Sequence, residues 1–258
     1  MPQELTIKLT AEGVNEMKVS MITRRGIGSE ASQDRVLIGG HVLCDEEFFG
    51  EFDKPCAVGI ADGVGGNAGG DVAAEFVCRG LSSLSVFTPQ EALRVNSELL
   101  EYAGAIPGME NMASTFSGIF PGGKLFHIGN TRICAVQGGY LKQLTVDMTT
   151  RNYLASLGRS EEAEHCNSNE ITACFGGGRE SFYAPVIFEI PLTGAVLMTS
   201  DGVHDHVTTD DLESIISNAG SDPDVLRRMI SRALECGSEV LILWFRRTCE
   251  VVFTFLKK

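Results

Sequence analysis

Two kinds of hydrophobic pattern recur along this chain, and each predicts a different secondary structure. Short apolar runs bounded by turn residues are typical of β-strands. They lie at Met17–Thr23, Arg35–Val42, Cys56–Ala61, Ser114–Phe120, Lys124–Ile128, Ile133–Gln137, Ala184–Ile190 and Ala195–Thr199. Apolar residues spaced three to four positions apart instead indicate amphipathic helices. These stretches are Gly70–Leu84, Pro89–Ala103, Thr209–Asn218 and Pro223–Glu235.

The order of the predicted elements favours an α+β fold. Two helices come early, two come late and most strands lie between them, unlike the regular strand–helix alternation of parallel α/β folds. Thr208 to Asp211 supply capping side chains for one late helix, and Pro223 suits the first turn of the other. No repeat, low-complexity tract or Pro/Ser-rich linker divides the chain. We therefore expect residues 1–258 to form a single domain.

One long polar segment, Met148 to Gly178, has no clear periodicity and predicts an irregular surface excursion. It contains several acidic residues and ends in three consecutive glycines. Loops of this length in compact domains are usually functional or disordered. A substrate-facing flap and an unstructured insertion are both consistent with the pattern.

Composition narrows the classes of protein that the chain can represent. Hydrophobic residues make up 43% and charged residues 21%, which is ordinary for a globular domain. Acidic residues outnumber basic ones by 34 to 21, and the resulting formal charge of -13 repels phosphate backbones. We therefore expect no nucleic-acid partner. The same acidic excess suits cation binding, although it can also serve only to keep the protein in solution.

The cysteines and the N-terminal segment suggest a compartment. The eight cysteines form no C-x-x-C pair, so neither a zinc site nor a compact disulfide framework is indicated. The N-terminal residues lack a basic segment followed by an apolar one, and no apolar run approaches the ~20 residues of a membrane span. We expect a cytoplasmic protein with no membrane partner.

The most informative chemical feature is an apolar strand that runs into an acidic, glycine-rich turn. Ala57–Ala61 is followed by Asp62, Gly63 and further glycines as far as Gly70. Glycine lets the backbone bend sharply and approach a ligand closely, and the carbonyl of Gly63 could coordinate a cation. A phosphate-binding loop is the rival interpretation, but no Gly-Lys-Ser/Thr ends the run, which could also be a plain turn.

An apolar strand that leads into Asp-Gly occurs a second time, far downstream. Ala195–Thr199 leads into Ser200-Asp201-Gly202, with Asp205 shortly after. A single Asp-Gly is usually a turn, whereas two after matching strands favour a shared site. If the strand ends are adjacent, Asp62 and Asp201 could share magnesium or manganese, which prefer oxygen ligands, and Asp205 could complete a position nearby.

In their order along the chain, these segments resemble the motifs of the metal-dependent serine/threonine protein phosphatases of the type 2C (PPM) family, in their compact bacterial-like form. The paired Asp-Gly segments correspond, and four further segments agree with the family over roughly residues 18 to 245. These are Ser32-Gln33-Asp34, Met112 to Thr115, His127 to Arg132 and Leu144 to Asp147.

The resemblance implies both a fold and a chemistry. The implied fold is a four-layer αββα sandwich, with two central, mostly antiparallel β-sheets flanked by helix pairs and a metal site at one edge. In the family, a water bridging two divalent cations attacks the phosphorus of phosphoserine or phosphothreonine. Asp62 would bridge both cations, the Gly63 carbonyl and Asp201 would each complete one shell, and Asp34 would orient the water. The implied cofactors are two or three Mn²⁺ or Mg²⁺ ions per chain.

Several positions depart from the family pattern close to the expected cations. Gln33 stands where many relatives carry glutamate, so the second cation would be held by one charge fewer. Val64 stands where some members have a histidine proposed as general acid, which leaves protonation of the leaving group to water or another side chain. Asn130 replaces an aspartate and would weaken an accessory third-cation position that Asp205 would share.

The phosphate-binding arginine that relatives often place five residues before Asp34 is also replaced, here by Ser29. Arg24 or Arg25 could bind the phosphate instead, as could Arg35.

A further metal-binding aspartate expected near the C-terminus is not visible in Gly237-Ser238-Glu239-Val240-Leu241. Ungapped alignment puts Val240 in its place. A one-residue slip, which we favour, lets the longer carboxylate of Glu239 replace it.

The leading hypothesis is therefore hydrolysis of phosphoserine or phosphothreonine in a phosphoprotein, opposing a serine/threonine kinase, by a monomer. The alternative is a catalytically weak or inactive phosphatase-fold module that binds phosphoproteins or regulates a partner. The substitutions described above motivate that alternative. A different metal-dependent hydrolase, or a phosphatase domain in a regulatory switch, also stays open because a fold does not fix a function.

Overall fold

The computed structural model describes residues 16–26, 31–65, 68–82, 84, 88–167, 170–178, 186–189, 194–235 and 240–248. Over these ranges the chain forms two six-stranded β-sheets between layers of helices. The strands are β1 (Glu16–Arg24), β2 (Arg35–Ile38), β3 (His41–Leu43), β4 (Glu47–Phe52), β5 (Val58–Ala61), β6 (Ala113–Ser114), β7 (Phe116–Phe120), β8 (Lys124–Ile128), β9 (Arg132–Gln137), β10 (Tyr140–Gln143), β11 (Phe175–Gly176), β12 (Val186–Glu189), β13 (Gly194–Thr199) and β14 (Val240–Thr248). The helices are α1 (Gly70–Ser82), α2 (Pro89–Gly104), α3 (Thr150–Ser156), α4 (Ser160–His165), α5 (Asp201–His204), α6 (Thr209–Asn218) and α7 (Asp222–Leu234).

Both large sheets are antiparallel. The first has the strand order β10-β9-β13-β14-β1-β4, and the second has the order β12-β8-β7-β5-β2-β3. A short ladder joins β11 to β6. The predicted four-layer αββα sandwich of the α+β class is confirmed.

Strand β14 shows how one sequence serves two layers at once. Its odd-numbered residues Leu241, Leu243 and Phe245 lie in the core between the sheets. Its even-numbered residues Val240, Ile242 and Trp244 pack against the helices outside the first sheet. Because side chains alternate between the faces of a strand, a central strand covered on both faces must be apolar throughout.

The helices cover the outer faces of the sheets with apolar residues at helical spacing. In α1, Ala73, Val77 and Leu81 are fully buried against the second sheet. In α7, Val225 and Met229 pack on the first sheet. Side-chain caps fix where the helices start: Thr88, Thr208 and Ser221 accept hydrogen bonds from main-chain N–H groups in the first turns of α2, α6 and α7.

The structure differs from the predicted elements in three ways. The stretch Arg35–Val42 is a hairpin of β2 and β3 rather than one strand, because Gly39 turns the chain with φ +61°. The polar segment 148–178 contains α3 and α4, and Thr149 caps α3 by accepting from the main-chain N–H of Asn152 at 3.3 Å. Strands β4, β10, β11 and β14 and the short helix α5 were not predicted. The continuous apolar run of β14 has no period that separates a strand from a helix.

Among the described helices, none combines the length and apolar content that a bilayer span requires.

We predict that Leu243→Ala destabilises the protein by about 2–5 kcal/mol, because it removes a fully buried side chain between the two sheets. Urea unfolding followed by circular dichroism measures this change. Leu93→Ala is the matched control, since Leu93 is 47% exposed and should cost less than about 0.5 kcal/mol. Equal losses in the two variants would contradict the placement of β14 in the core.

Candidate active site

The two Asp-Gly segments lie at the same edge of the sandwich. Strands β5 and β8 are both antiparallel to β7, so they run in the same direction and end at the same edge of the second sheet. A turn of three residues, 129–131, then carries the chain into β9 of the first sheet. Arg132 at the start of β9 pairs with Thr199 at the end of β13. Asp62 follows β5 and Asp201 follows β13, so the topology brings both aspartates to this edge.

Asp34 reaches this edge through the pairing of β2 with β5. Arg35 is the partner of Ala61, so Asp34 directly precedes β2 where β5 ends. Asp34 is 1% exposed, and its main-chain N–H donates to Oγ of Ser32 at 3.3 Å. The main-chain carbonyl of Gln33 accepts from the N–H of Gly63 at 3.2 Å. The predicted Ser32-Gln33-Asp34 and Asp62-Gly63 segments are therefore in direct contact.

The main chain of Asp62 is held by Ser114 and Thr115. Its N–H donates to Oγ1 of Thr115 at 3.1 Å, and its carbonyl accepts from the Thr115 N–H at 2.9 Å. The same carbonyl accepts from Oγ of Ser114 at 3.1 Å. These bonds explain why the Met112 to Thr115 segment belongs to the site: it fixes the loop from which the Asp62 side chain projects.

Glycine is required at position 63 by a close approach of two backbones. A Cβ at Gly63 would lie 2.5 Å from the carbonyl oxygen of Gly70, the first residue of α1. A Cβ at Gly70 would in turn lie 3.2 Å from Oε1 of Gln33. The glycine run therefore lets the loop, the start of α1 and Gln33 pack together.

Asp201 is fixed by hydrogen bonds between the residue before it and β14. The N–H of Ser200 donates to the carbonyl of Leu241 at 3.1 Å, and Oγ of Ser200 accepts from the N–H of Leu241 at 3.1 Å. Sequence reasoning assigned no role to Ser200, because the strand with which it pairs was not predicted. Asp205 is exposed, and its N–H donates to the carbonyl of Asp201 at 2.9 Å.

Asn130 contacts Asp201 directly. Its Nδ2 donates to Oδ2 of Asp201 at 3.0 Å. Asn130 is 3% exposed, and its Oδ1 accepts no hydrogen bond from the described residues. A buried acceptor that is not satisfied in this way calls for an explanation, and an ion or a water is a common one.

The start of the polar segment is tied to the same edge by an ion pair. Arg132 binds both carboxylate oxygens of Asp147, with an Nη2–Oδ2 distance of 2.6 Å. Burial disfavours charge on Arg132, but Asp147 and the charge of Asp205 outweigh this effect and raise the pKa of Arg132. The N–H of Met148 donates to the carbonyl of Gly129 at 2.8 Å.

The far end of the segment returns to the site as well. Strand β11 pairs with β6, with Phe175 opposite Ser114. The N–H of Gly177 donates to the carbonyl of Met112 at 2.9 Å. Both ends of residues 148–178 are therefore anchored beside the aspartates, and α3 and α4 extend between these anchors.

The arginines considered for phosphate binding have protein partners. Arg24 donates to Glu47 at 2.6 Å, and Arg35 pairs with Glu75 at 2.9 Å. Arg24 pairs with Val240 across β1 and β14, which places it at the same edge as the aspartates. Arg25 is exposed, and its main-chain N–H donates to Asp45 at 3.3 Å. Phosphate binding by Arg24 or Arg25 stays a prediction.

Two predicted positions, Ser29 and Glu239, lie outside the described residues. Glu239 immediately precedes Val240, the first residue of β14. A role for Glu239 as a metal ligand stays a prediction.

The chemistry of the donors suits a hard divalent cation. Asp62, Asp201 and Asp205 supply carboxylate oxygens, and Asn130 supplies a buried amide oxygen. Within the described ranges, no group of three or more His, Cys, Asp or Glu side chains is close enough to hold an ion by itself. Main-chain carbonyls, the amide oxygen and Glu239 would therefore have to complete any shell around these aspartates.

Two histidines near this edge make their contacts within the fold; His127 is buried and His204 is half-buried. Nδ1 of His127 lies 2.8 Å from Oγ of Ser117, and Nε2 lies 2.9 Å from the carbonyl of Val146. Nδ1 of His204 lies 2.9 Å from Oγ1 of Thr199. Burial lowers the pKa of His127, and burial together with Arg132 lowers the pKa of His204 well below its usual value.

No protein-family model matches the chain. Curated relatives nevertheless align with most of it. The serine/threonine phosphatase stp of Listeria welshimeri is 24% identical over 230 residues, which cover 82% of this chain and 91% of the relative. The serine/threonine protein phosphatase PstP of Mycobacterium tuberculosis is 28% identical over 230 residues, which cover 83% of this chain and 41% of PstP. The chain thus spans less than half the length of PstP.

Solved structures share the fold. The Mycobacterium tuberculosis phosphatase PstP/Ppp superposes with a TM-score of 0.71 at 24% identity, covering 90% of this chain and 98% of that chain. Stp1 from Staphylococcus aureus gives a TM-score of 0.71 at 17% identity, with coverage of 96% and 99%. The catalytic domain of PstP in complex with two manganese ions gives 0.71 at 23% identity, with coverage of 90% and 99%.

We predict that Gly63→Ala destabilises the protein by about 1–3 kcal/mol, because the added methyl group collides with the backbone of Gly70. Gly65→Ala is the control, since a Cβ at Gly65 meets nothing within 4 Å. Thermal unfolding of both variants tests the close approach. Indistinguishable behaviour of the two variants would contradict it.

We also predict that acid destabilises the protein partly through His127. A histidine with a lowered folded pKa binds its proton more readily when unfolded, so its stabilising effect is complete above pH ~6.5 and is lost as the pH falls below that value. The free energy of unfolding should therefore decrease by up to about 1.4 kcal/mol per pH unit for this group. His127→Gln should flatten that slope in urea unfolding from pH 7.5 to 5, whereas His41→Gln, at an exposed position, should not.

The motif order, the alignments with curated relatives and the shared fold agree over most of the chain. Each matched motif within the described ranges also contributes a contact at one edge of the sandwich. The chain is therefore similar over most of its length to bacterial serine/threonine protein phosphatases, and it shares their fold.

Proposed function

We propose that this chain hydrolyses phosphoserine and phosphothreonine in proteins, with divalent cations as cofactors. The observation that carries the proposal is the meeting of two strand-end Asp-Gly segments at one edge of the sandwich, where Asn130 bonds to Asp201 and Thr115 fixes Asp62. The relatives that align with most of the chain are serine/threonine phosphatases by name.

The carboxylates would hold the cations. Asp62 would contact both of two cations, the Gly63 carbonyl would complete one shell, and Asp201 would complete the other. Asp205 and Glu239 would add oxygen ligands. Two manganese ions are bound in the structure of the PstP catalytic domain, which supports Mn²⁺ as a cofactor here, with Mg²⁺ as the alternative.

When bound, such cations supply Lewis acidity and lower the pKa of coordinated water, so that hydroxide is available near neutral pH. The residues of the chain supply geometry. Asp34, fixed at the start of β2, would accept a hydrogen bond from the attacking water and orient it toward phosphorus. Val64 has no titratable group, so a solvent water would protonate the departing serine or threonine oxygen.

The segment 148–178 would border the bound phosphoprotein as a flap. Its two anchors, Met148 on Gly129 and β11 on β6, lie beside the proposed ligands. The side chains of Tyr153 and Leu157, which are 58% and 53% exposed, would offer apolar contacts to the substrate chain.

Arg24 or Arg25 would bind the phosphate. We propose further that the chain is a single cytoplasmic domain, that it is a monomer, and that it reverses phosphorylation by a serine/threonine kinase.

A second candidate function is phosphoprotein binding with little or no turnover. Gln33 and Asn130 present amides where family members present carboxylates, so the site carries less negative charge to hold cations. This candidate predicts a phosphopeptide complex that is stable in the presence of Mn²⁺.

Hydrolysis of p-nitrophenyl phosphate and of a phosphothreonine peptide, with Mn²⁺ or Mg²⁺, tests the proposal. We expect turnover that needs a cation and that falls at least about 100-fold in Asp62→Asn and in Asp201→Asn. Asp210→Asn, at an exposed position in the first turn of α6, is the charge-matched control and should retain activity.

Turnover without added cation, or full activity in both aspartate variants, would contradict the proposed chemistry. Absence of turnover by the wild type with either metal, together with saturable phosphopeptide binding, would support the second candidate instead.

A further inference from the structure

The turn between β8 and β9 fixes Asn130 from both sides. Gly129 has φ +107°, and a Cβ there would lie 2.5 Å from Cγ2 of Thr115, so the backbone before Asn130 has little freedom. After it, the carbonyl of Thr131 accepts from Oγ of Ser117 at 3.1 Å. Because Asn130 itself is buried, its side-chain position is set by the fold.

The bond to Asp201 also determines which way the amide points. Nδ2 of Asn130 donates to Oδ2 of Asp201 at 3.0 Å. A flip of the amide would direct Oδ1, which has no donor among the described residues, against a carboxylate oxygen. Asp201 therefore enforces the donor orientation even though this leaves a buried acceptor unsatisfied.

The side-chain N–H of Asn130 lies against the carboxylate of Asp201, where a carboxylate at position 130 would need a positive charge beside it. An aspartate at position 130 in the same rotamer would place two carboxylate oxygens about 3 Å apart. Two ionised carboxylates at this distance repel each other, so either one of them takes up a proton or a cation lies between them. The amide satisfies one oxygen of Asp201 without either, and a carboxylate has a second oxygen that can bind a cation.

We propose that Asn130 is a positioning residue whose N–H takes the place of a cation beside Asp201. The corner formed by Asn130, Asp201 and Asp205 then binds no third ion. Asp205 can add an oxygen ligand only to the cation that Asp201 holds, and the chain holds two cations rather than three. Asn130 also orients the other oxygen of Asp201 toward the cation that Asp201 holds. This inference depends on the proposed function only in treating Asp201 as a cation ligand.

Calorimetric titration of Mn²⁺ into the metal-free chain tests the proposal with wild type, Asn130→Asp and Asn130→Ala. We expect two ions per wild-type chain and one additional ion in Asn130→Asp. Asn130→Ala should bind the wild-type number with affinity reduced about 10- to 100-fold, the usual effect of losing a group that orients a ligand. A purely structural role for Asn130 would not change the number of ions.

Thermal unfolding in EDTA gives a readout that does not involve a cation. Asn130→Asp should lower Tm by at least about 3 °C, and Mn²⁺ should restore it. An unchanged ion number in Asn130→Asp, or unchanged affinity in Asn130→Ala, would overturn the proposal. If Asn130→Asp does not fold, the affinity of Asn130→Ala decides.

If the wild type binds no Mn²⁺, the proposed function fails while this inference is still decided by the unfolding data in EDTA. Equal Tm values for wild type and Asn130→Asp, or a lowered Tm in that variant that Mn²⁺ does not restore, would then overturn it. A lowered Tm that Mn²⁺ restores would support it.

Discussion

A three-residue crossing from one sheet into the other fixes where the candidate site lies. Residues 129–131 span little more than about 10 Å, and stacked sheets lie about 10 Å apart, so β8 and β9 must meet directly at their ends. The antiparallel pairing of the neighbouring strands then determines which other strands end at this edge. Asp62 and Asp201 lie at the same edge because of this crossing, and the pairing of β2 with β5 brings Asp34 there as well.

The same turn organises the polar segment outside the sandwich. The carbonyl of Gly129 in this turn accepts a hydrogen bond from the N–H of Met148. Arg132, which follows the turn, donates to both carboxylate oxygens of Asp147. Because the ion pair is partly buried, it is screened less by salt than a surface pair. A rigid edge of the sandwich therefore positions the start of a segment that is otherwise exposed.

The sequence was sufficient to predict the fold class and the four long helices, because layered packing leaves a distinct period in each element. It failed for β14, where burial on both faces removes the period. It also indicated that Asp62 and Asp201 could share a site, since each follows a buried strand. The contacts of Ser200 and Thr115 could not be predicted, because each depends on the register of a strand remote in sequence. For Asn130, the sequence indicated a weaker ligand, but only the structure shows that its amide bonds to Asp201.

The position of β14 has a consequence for how the chain folds. In the first sheet β14 lies between β1 and β13, so the first and last described strands are neighbours. Pairing of segments so far apart in sequence is slow, because the entropy of closing the loop is lost before the contacts form. The hairpins of the second sheet can form early from local contacts. Ser200 acquires its partner Leu241 only when β14 docks, so the edge that carries the aspartates is completed late in folding.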